Sequence, residues 1–152
     1  MEQRILEINA GETAWLGQLI GELTERGIAY LDIHALGRYY DEAAAAWAAT
    51  DPADREDPNG IVNRTGAGLG EHLRTRLPLR WVVVTDDLGT DLVVHGQPGN
   101  VVLPPMVMVA KRWLDGTTGF LPGLADFAVQ QADALMRAGG GSGTDGFPLR
   151  SV

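Results

Sequence analysis

Adjacent carboxylates are the first residues of this sequence that could do chemistry. Asp86 and Asp87 follow one another, and a hydrolase could use such a pair as one acid and one base if their surroundings differ. The following residues Leu88-Gly89-Thr90 are typical of a turn, where aspartates usually accept hydrogen bonds from backbone N–H groups. We therefore interpret the pair first as a turn and second as a candidate ligand site.

Glu71 is the better carboxylate candidate, because it follows Gly70 in a segment with helical spacing. A buried carboxylate needs a cationic partner, since an unpaired buried charge is too costly. Arg80, Lys111 and Arg112 are the partners that the sequence suggests for Glu71. A structural ion pair is the simpler interpretation of such a contact, and a ligand site is the alternative.

Histidine, cysteine and serine provide no further candidate for a metal site or a catalytic nucleophile. The histidines His34, His72 and His95 have no spacing that would bring three or four metal ligands together. The chain has no cysteine, which excludes disulfides, thiolate metal sites and cysteine nucleophiles. Its two serines, Ser142 and Ser151, lie near the C-terminus, which argues against a serine hydrolase. The sequence therefore predicts no metal, no cofactor and no catalytic residue.

A basic pair and the tryptophans are candidates for binding. Lys111 is the only lysine and precedes Arg112 and Trp113. Such a pair could bind a ligand, but on an amphipathic helix it is more often the solvated face. Tryptophans read first as core or rim residues and are also favoured at protein interfaces. The candidate ligand or interface residues are Glu71, Trp81, Asp86, Asp91, Lys111 and Arg112.

Composition narrows the class of protein. A chain of 152 residues with 45% hydrophobic residues fits one ordinary globular domain. The net charge of −8 argues against nucleic acid as a partner, because phosphate binding needs a basic surface. The N-terminal residues do not resemble a secretion signal, and no apolar run is long enough to span a membrane. We therefore expect a cytoplasmic protein with no membrane association.

The elements that must position these residues follow from periodicity. Apolar residues at helical spacing predict a helix ending near Gly27, a second from the N-cap Asp32 to about residue 49, and a third from Asn59 to about Leu77. A helix from Pro105 to Gly116 and a last one ending near Ala138 follow. Three β-rich runs, at about 80–85, 91–95 and 101–103, predict an antiparallel meander. The fold class is thus α+β, with one domain over 1–138 and a flexible tail over 139–152.

Two glycines inside the third predicted helix need an explanation. Gly66 and Gly70 lie four residues apart on one face, and each glycine costs roughly 0.5–1 kcal/mol relative to alanine in a helix. One interpretation is close approach of another backbone, most simply that of the adjacent sheet. The other is that the glycines open a ligand groove lined by Glu71.

Leu69-Gly70-Glu71 is followed by Arg80-Trp81-Val82-Val83-Val84 with Asp86 and Gly89, and then by Pro105-Met106 and Ala110-Lys111-Arg112. This order resembles a bacterial family known as domain of unknown function 3806, over roughly residues 60–135. The resemblance implies an α+β domain and supplies no activity and no catalytic residue.

Acidity and the absence of catalytic motifs together predict a small accessory protein that binds another protein, such as an immunity or regulatory factor. An alternative is a small-ligand-binding protein or hydrolase-like enzyme that uses carboxylates near the Gly66 and Gly70 face. A homodimer built on exposed tryptophans is a further alternative.

Overall fold

The computed structural model describes residues 3–142, which fold as an α+β domain with five α-helices and a four-stranded antiparallel sheet. A short 3-10 turn at Pro52–Asp54 lies between α2 and α3. The elements in chain order are β1 (Arg4–Glu7), α1 (Ala10–Glu25), α2 (Ile33–Ala49), α3 (Asn59–Arg76), β2 (Arg80–Asp86), β3 (Gly89–Gly96), β4 (Val101–Leu103), α4 (Pro105–Asp115) and α5 (Leu121–Ser142).

The predicted three-stranded sheet is wrong, because the sheet has four strands in the order β1-β2-β3-β4. The additional strand, β1, pairs with β2 in a register that sets Arg4 opposite Thr85 and Glu7 opposite Val82. It is four residues long with a charge at each end, so it lacks the alternation that marks a strand in sequence. Its extended form depends on a partner far along the chain.

Local capping explains where several helices begin and end. At α1, Asn9 and Glu12 form reciprocal bonds of 2.8 Å between side chain and backbone, which is a capping box. At α2, the Asp32 carboxylate accepts from the His34 backbone N–H at 2.9 Å, as predicted. At α4, Gly116 adopts φ 70° and closes the helix.

The sheet separates two apolar clusters. On one face, Trp81, Val94 and Leu103 join the main core that the helices build. On the other, Val82, Val84, Val93 and Val102 form a fully buried cluster that Ile5 of β1 contacts. Asn100 Nδ2 lies 3.4 Å from Gln3 Oε1, linking the segments before β4 and β1. β1 and β4 are the two edge strands of the sheet.

The glycine-rich face of α3 is filled. A Cβ added at Gly66 would lie 2.8 Å from the Met106 Cα of α4, and one added at Gly70 would overlap the Trp81 indole ring. The predicted close approach is therefore present, but the backbone at Gly66 is that of α4 and not that of the sheet. No cleft opens on this face.

The last helix is longer than predicted, since α5 continues past Ala138 to Ser142. Most of the predicted flexible tail, residues 143–152, lies outside the described residues. Among residues 3–142, no helix is long and apolar enough to cross a membrane.

Candidate functional site

An apolar groove lies between α2 and the end of α4. Its volume is about 330 Å³, and aromatic rings from distant parts of the chain form its walls. Trp47 and Trp113 meet edge to face with ring centroids 5.1 Å apart, and Tyr40 meets Trp113 at 6.1 Å. We term this the aromatic groove; it is lined by Tyr40, Asp41, Ala44, Ala45, Trp47, Ala48, Trp113, Gly116, Thr117 and Thr118.

Polar contacts hold the walls of the aromatic groove in place. The Trp47 indole N–H donates to the Glu56 carbonyl at 2.8 Å, and the Arg55 guanidinium lies 4.5 Å from the centroid of the same ring. Arg55 Nη2 also donates to the Ala48 carbonyl at 2.8 Å, so it caps the C-terminus of α2. Asp41, also on α2, accepts from the Gly119 backbone N–H at 2.9 Å, which joins α2 to the loop that follows α4. The groove is therefore formed by groups already bonded to one another.

The inside of the groove is apolar, whereas the surface around the C-terminal end of α2 is acidic. Burial raises the pKa of Tyr40 to about 12, with Asp41 adding to the shift, so its phenol is neutral near pH 7. Leu114, next to Trp113, is 84% exposed. Exposed carboxylates surround the C-terminal half of α2 and the loop that follows it, at Glu42, Asp51, Asp54, Glu56 and Asp57.

A polar cavity of about 410 Å³ lies on the other side of Trp47, and Arg55, Arg64 and Tyr39 line it. Its guanidinium groups have internal partners. Arg64 donates to the Tyr39 hydroxyl at 2.8 Å and to Glu22 at 3.1 Å, and hydrogen bonds from Gln18 and Arg64 lower the pKa of Glu22. Burial lowers the pKa of Arg64, but its bonds to Tyr39 and Glu22 outweigh burial and leave it raised. These charges are structural.

Glu71 and Trp81 are the two sequence-predicted residues that the fold brings together. Glu71 Oε2 accepts from the Trp81 indole N–H at 2.8 Å and from Arg74 Nη1 at 2.8 Å. The expected partners Arg80, Lys111 and Arg112 are not its cation. Arg74 is three residues away on the same helix, where side chains are neighbours, and Arg80 instead pairs with Glu7 at 2.7 Å.

Asp86 accepts from the Leu88 backbone N–H at 2.8 Å, which confirms its interpretation as a turn residue. It lies five residues along β2 from Trp81, which corresponds to about 17 Å of extended strand. Asp91 stands opposite Val84 on β3, nearer to Asp86 than to Trp81. The fold therefore does not gather these carboxylates around Glu71.

Lys111 and Arg112 lie on α4, and both are partly buried. Arg112 Nη1 donates to the Met108 carbonyl of its own helix at 3.2 Å. The pair thus lies along a helix that packs on α3. The structure does not join it to Glu71 in one site.

The histidines lie on separate elements. His72 Nδ1 lies 2.8 Å from the Leu31 carbonyl oxygen, and His95 Nε2 lies 2.8 Å from Asn100 Oδ1. His34 is exposed in the first turn of α2. Among residues 3–142, no three His, Asp or Glu side chains cluster as a metal site would require.

Sequence reasoning did not find the aromatic groove. Trp47 and Trp113 were recognised as core or rim residues, but nothing local indicated that they meet. Tyr40 and Phe120 also join the cluster, with ring centroids 5.0 Å apart. The aromatic content of the predicted second and fourth helices is the local signal for this cluster, and periodicity does not give the angle at which the two helices pack.

The fold and the aromatic groove define this chain as an α+β domain in which α2 and α4 position an aromatic cluster. The sequence profile of the family described as Domain of unknown function (DUF3806) matches residues 42–121. The match covers more than half of the 152 residues, and the protein belongs to this family. It begins inside α2 and ends at the start of α5, so it reaches further towards the N-terminus than the expected residues 60–135.

No significant similarity links this chain to any curated protein or to any solved structure.

Proposed function

We propose that this protein is a non-catalytic accessory protein that binds another protein, in an immunity or regulatory role, through the aromatic groove. The observation that carries the proposal is an apolar groove with Tyr40, Trp47 and Trp113 in its walls. Tryptophan and tyrosine are enriched at protein interfaces and at the residues that dominate binding energy. Internal bonds already fix the Trp47 wall, which lowers the ordering cost of binding.

The partner that fits is a basic segment with one bulky apolar side chain. The apolar side chain would enter the groove and contact the Trp47 and Trp113 rings. Lysine or arginine residues next to it would reach the exposed carboxylates Asp54 and Glu56, which line the polar cavity across Trp47 from the groove. The net charge of −8 supports the same choice of partner, because it attracts basic surfaces at long range.

The cytoplasm is the compartment that we propose for this activity. A chain without cysteine suits a reducing environment, where disulfides are rare. The homodimer remains an alternative partner, and of the four tryptophans Trp15 is the one in the exposed class, at 38%. The hydrolase-like alternative has less support, because Asp86 and Asp91 are not near Glu71.

A random-peptide display library would test the partner chemistry. The library is panned against the immobilised full chain, and enriched peptides are measured by isothermal titration at two salt concentrations. We expect enriched sequences to share a tryptophan, phenylalanine or leucine beside lysine or arginine. We also expect affinity to fall with added salt, since the flanking contacts are exposed. No enrichment, or enrichment of acidic peptides, would contradict the proposal.

A matched pair of variants on α2 locates the binding surface. Ala45 lines the groove and is exposed, whereas Ala49 is exposed on the same helix without lining it. Ala45→Arg should weaken binding of the enriched peptides by about tenfold or more by filling the groove. Ala49→Arg makes the same change of charge and should leave binding near the wild-type value. Equal effects of the two substitutions would show that the groove is not the binding surface.

A further inference from the structure

A second apolar cavity lies between α1 and α3, and it contains two of the sequence-predicted residues. Its volume is about 290 Å³, at the small end of the range for ligand pockets. Glu71, Arg74 and Thr13 supply its polar groups. We term it the Trp81 cavity, and the rest of its lining is Ile8, Leu16, Gly17, Ile20, Ala67 and Trp81.

One oxygen of Glu71 takes both of its internal hydrogen bonds. Oε2 accepts from Trp81 Nε1 and from Arg74 Nη1, each at 2.8 Å. Within residues 3–142, Oε1 has no hydrogen-bond partner. A carboxylate oxygen has two lone pairs, so Oε1 can accept from a bound molecule. The two bonds on Oε2 hold the carboxylate in place before any ligand arrives.

Arg74 offers the complementary donor beside this acceptor. Its Nε donates to the Leu79 carbonyl at 3.3 Å, and its Nη1 donates to Glu71. Its Nη2 donates to no acceptor in the described part of the chain. A guanidinium has five N–H groups in a fixed plane. The Arg74 side chain lines the cavity and is 41% exposed, so Nη2 can still donate to a bound molecule.

We propose that the Trp81 cavity binds a small apolar molecule that carries a carboxamide. The amide N–H donates to Glu71 Oε1, and the amide oxygen accepts from Arg74 Nη2. The apolar part of the molecule contacts Trp81, Leu16 and Ile20 and is removed from water.

A neutral head group suits this pair better than a charged one. Glu71 and Arg74 form an ion pair whose charges sum to zero. A ligand carboxylate would meet the like charge of Glu71, and a ligand ammonium would meet that of Arg74, so either would lose part of its attraction. A carboxamide offers one donor and one acceptor and meets neither penalty. This inference does not depend on the aromatic groove.

Three probes of nearly equal shape test the head group: 4-methylpentanamide, 4-methylpentanoate and 4-methylpentan-1-amine. Binding to the full chain is followed at pH 7 by the NMR shift of the Trp81 indole N–H, assigned with Trp81→Phe. We expect the amide to bind about tenfold more tightly than either charged probe, the effect of one well-placed hydrogen bond. No shift with the amide, or equal affinity for a charged probe, would overturn the proposal.

Substitutions of α1 glycines show whether the probe enters the cavity. Gly17 lines it, Gly21 does not, and a Cβ added at either position meets no atom within 4 Å. Gly17→Leu should therefore fill the cavity without disturbing the core and weaken amide binding by about tenfold or more. Gly21→Leu should bind the amide as the wild type does. Equal affinities in the two variants would overturn the assignment.

Glu71→Gln supplies a second variant that keeps the size of the side chain. It removes the carboxylate and should reduce the preference for the amide over the carboxylate probe. An unchanged preference would show that Glu71 does not hold the head group.

Discussion

At the residue scale, Arg64 shows how this acidic chain uses its few cations. Its side chain is 11% exposed, and it joins Glu22 of α1 to Tyr39 of α2. Arg55 similarly donates to the Ala48 carbonyl at the end of α2. Both guanidinium groups satisfy carboxylate, hydroxyl or carbonyl acceptors inside the domain. They therefore tie elements together and do not offer a basic surface.

The Glu22–Arg64 pair predicts a pH-dependent loss of stability. Glu22→Gln should lower the free energy of unfolding at pH 7 by about 1–2 kcal/mol, since the bond is charge-assisted but the carboxylate is partly exposed. The pKa of Glu22 is lowered from 4.5, so its contribution is present above that value and is lost as the pH falls through the folded-state pKa.

Urea denaturation of both proteins between pH 7 and pH 3.5 measures this difference. The gap between wild type and Glu22→Gln should narrow as the pH falls below about 4.5. Glu25→Gln, an exposed change on the same helix, is the control and should have little effect at any pH. A gap of constant size would contradict the role assigned to the ion pair.

At the element scale, α3 is the centre of the packing. It contacts α1, α2, α4, α5 and β3, and its residues from Thr65 to Gly70 are all buried. Gly66 admits the backbone of α4, Gly68 admits Leu36 of α2, and Gly70 admits the Trp81 ring. The three glycines lower the intrinsic helix propensity of α3, and they allow its neighbours to approach on several sides.

Two glycine substitutions should therefore have opposite effects. Gly66→Ala places a methyl group 2.8 Å from the Met106 Cα and should destabilise the fold by about 1–3 kcal/mol, since the α4 backbone must move. Gly21→Ala on α1 meets no atom within 4 Å and should stabilise it by about 0.5–1 kcal/mol through helix propensity. Chemical denaturation measures both, and a stabilising Gly66→Ala would refute the close contact.

At the scale of the whole molecule, β1 connects the start of the chain to the second apolar cluster. It is an edge strand with three exposed residues, yet its Ile5 contacts the buried cluster that includes Val84 and Val93. The helices pack on the other face of the sheet, where Trp81 and Val94 belong to the main core. The domain thus has two cores separated by one sheet.

Ile5 and Leu6 lie on opposite faces of β1, so truncating each to alanine should reduce the free energy of unfolding by different amounts. Ile5→Ala should reduce the free energy of unfolding by about 1–3 kcal/mol, because it removes the contact with the valine cluster. Leu6 is 45% exposed, so Leu6→Ala should cost less than about 1 kcal/mol. Thermal denaturation compares the two, and equal losses would contradict the placement of β1.

Helix caps, helix ends and turns could be predicted from the sequence alone. Asp32 caps α2 as expected, Asp86 accepts from the turn, and Gly116 ends α4. Each feature depends on residues within a few positions, so side-chain chemistry and backbone preference suffice to predict it. The helical and strand periods of the long segments are equally local.

Tertiary structure alone decided the fourth strand and the candidate sites. β1 is extended because β2 lies beside it, and Glu71 bonds Trp81 because the Trp81 ring lies against Gly70 of α3. The aromatic groove joins Trp47 and Trp113 from two helices. Apolar periodicity shows which face of a helix is buried. It does not show which neighbour covers that face, because the hydrophobic effect is non-directional. The sequence therefore predicted that α3 packs closely at Gly66 and Gly70, and only the fold revealed the aromatic groove and the Trp81 cavity.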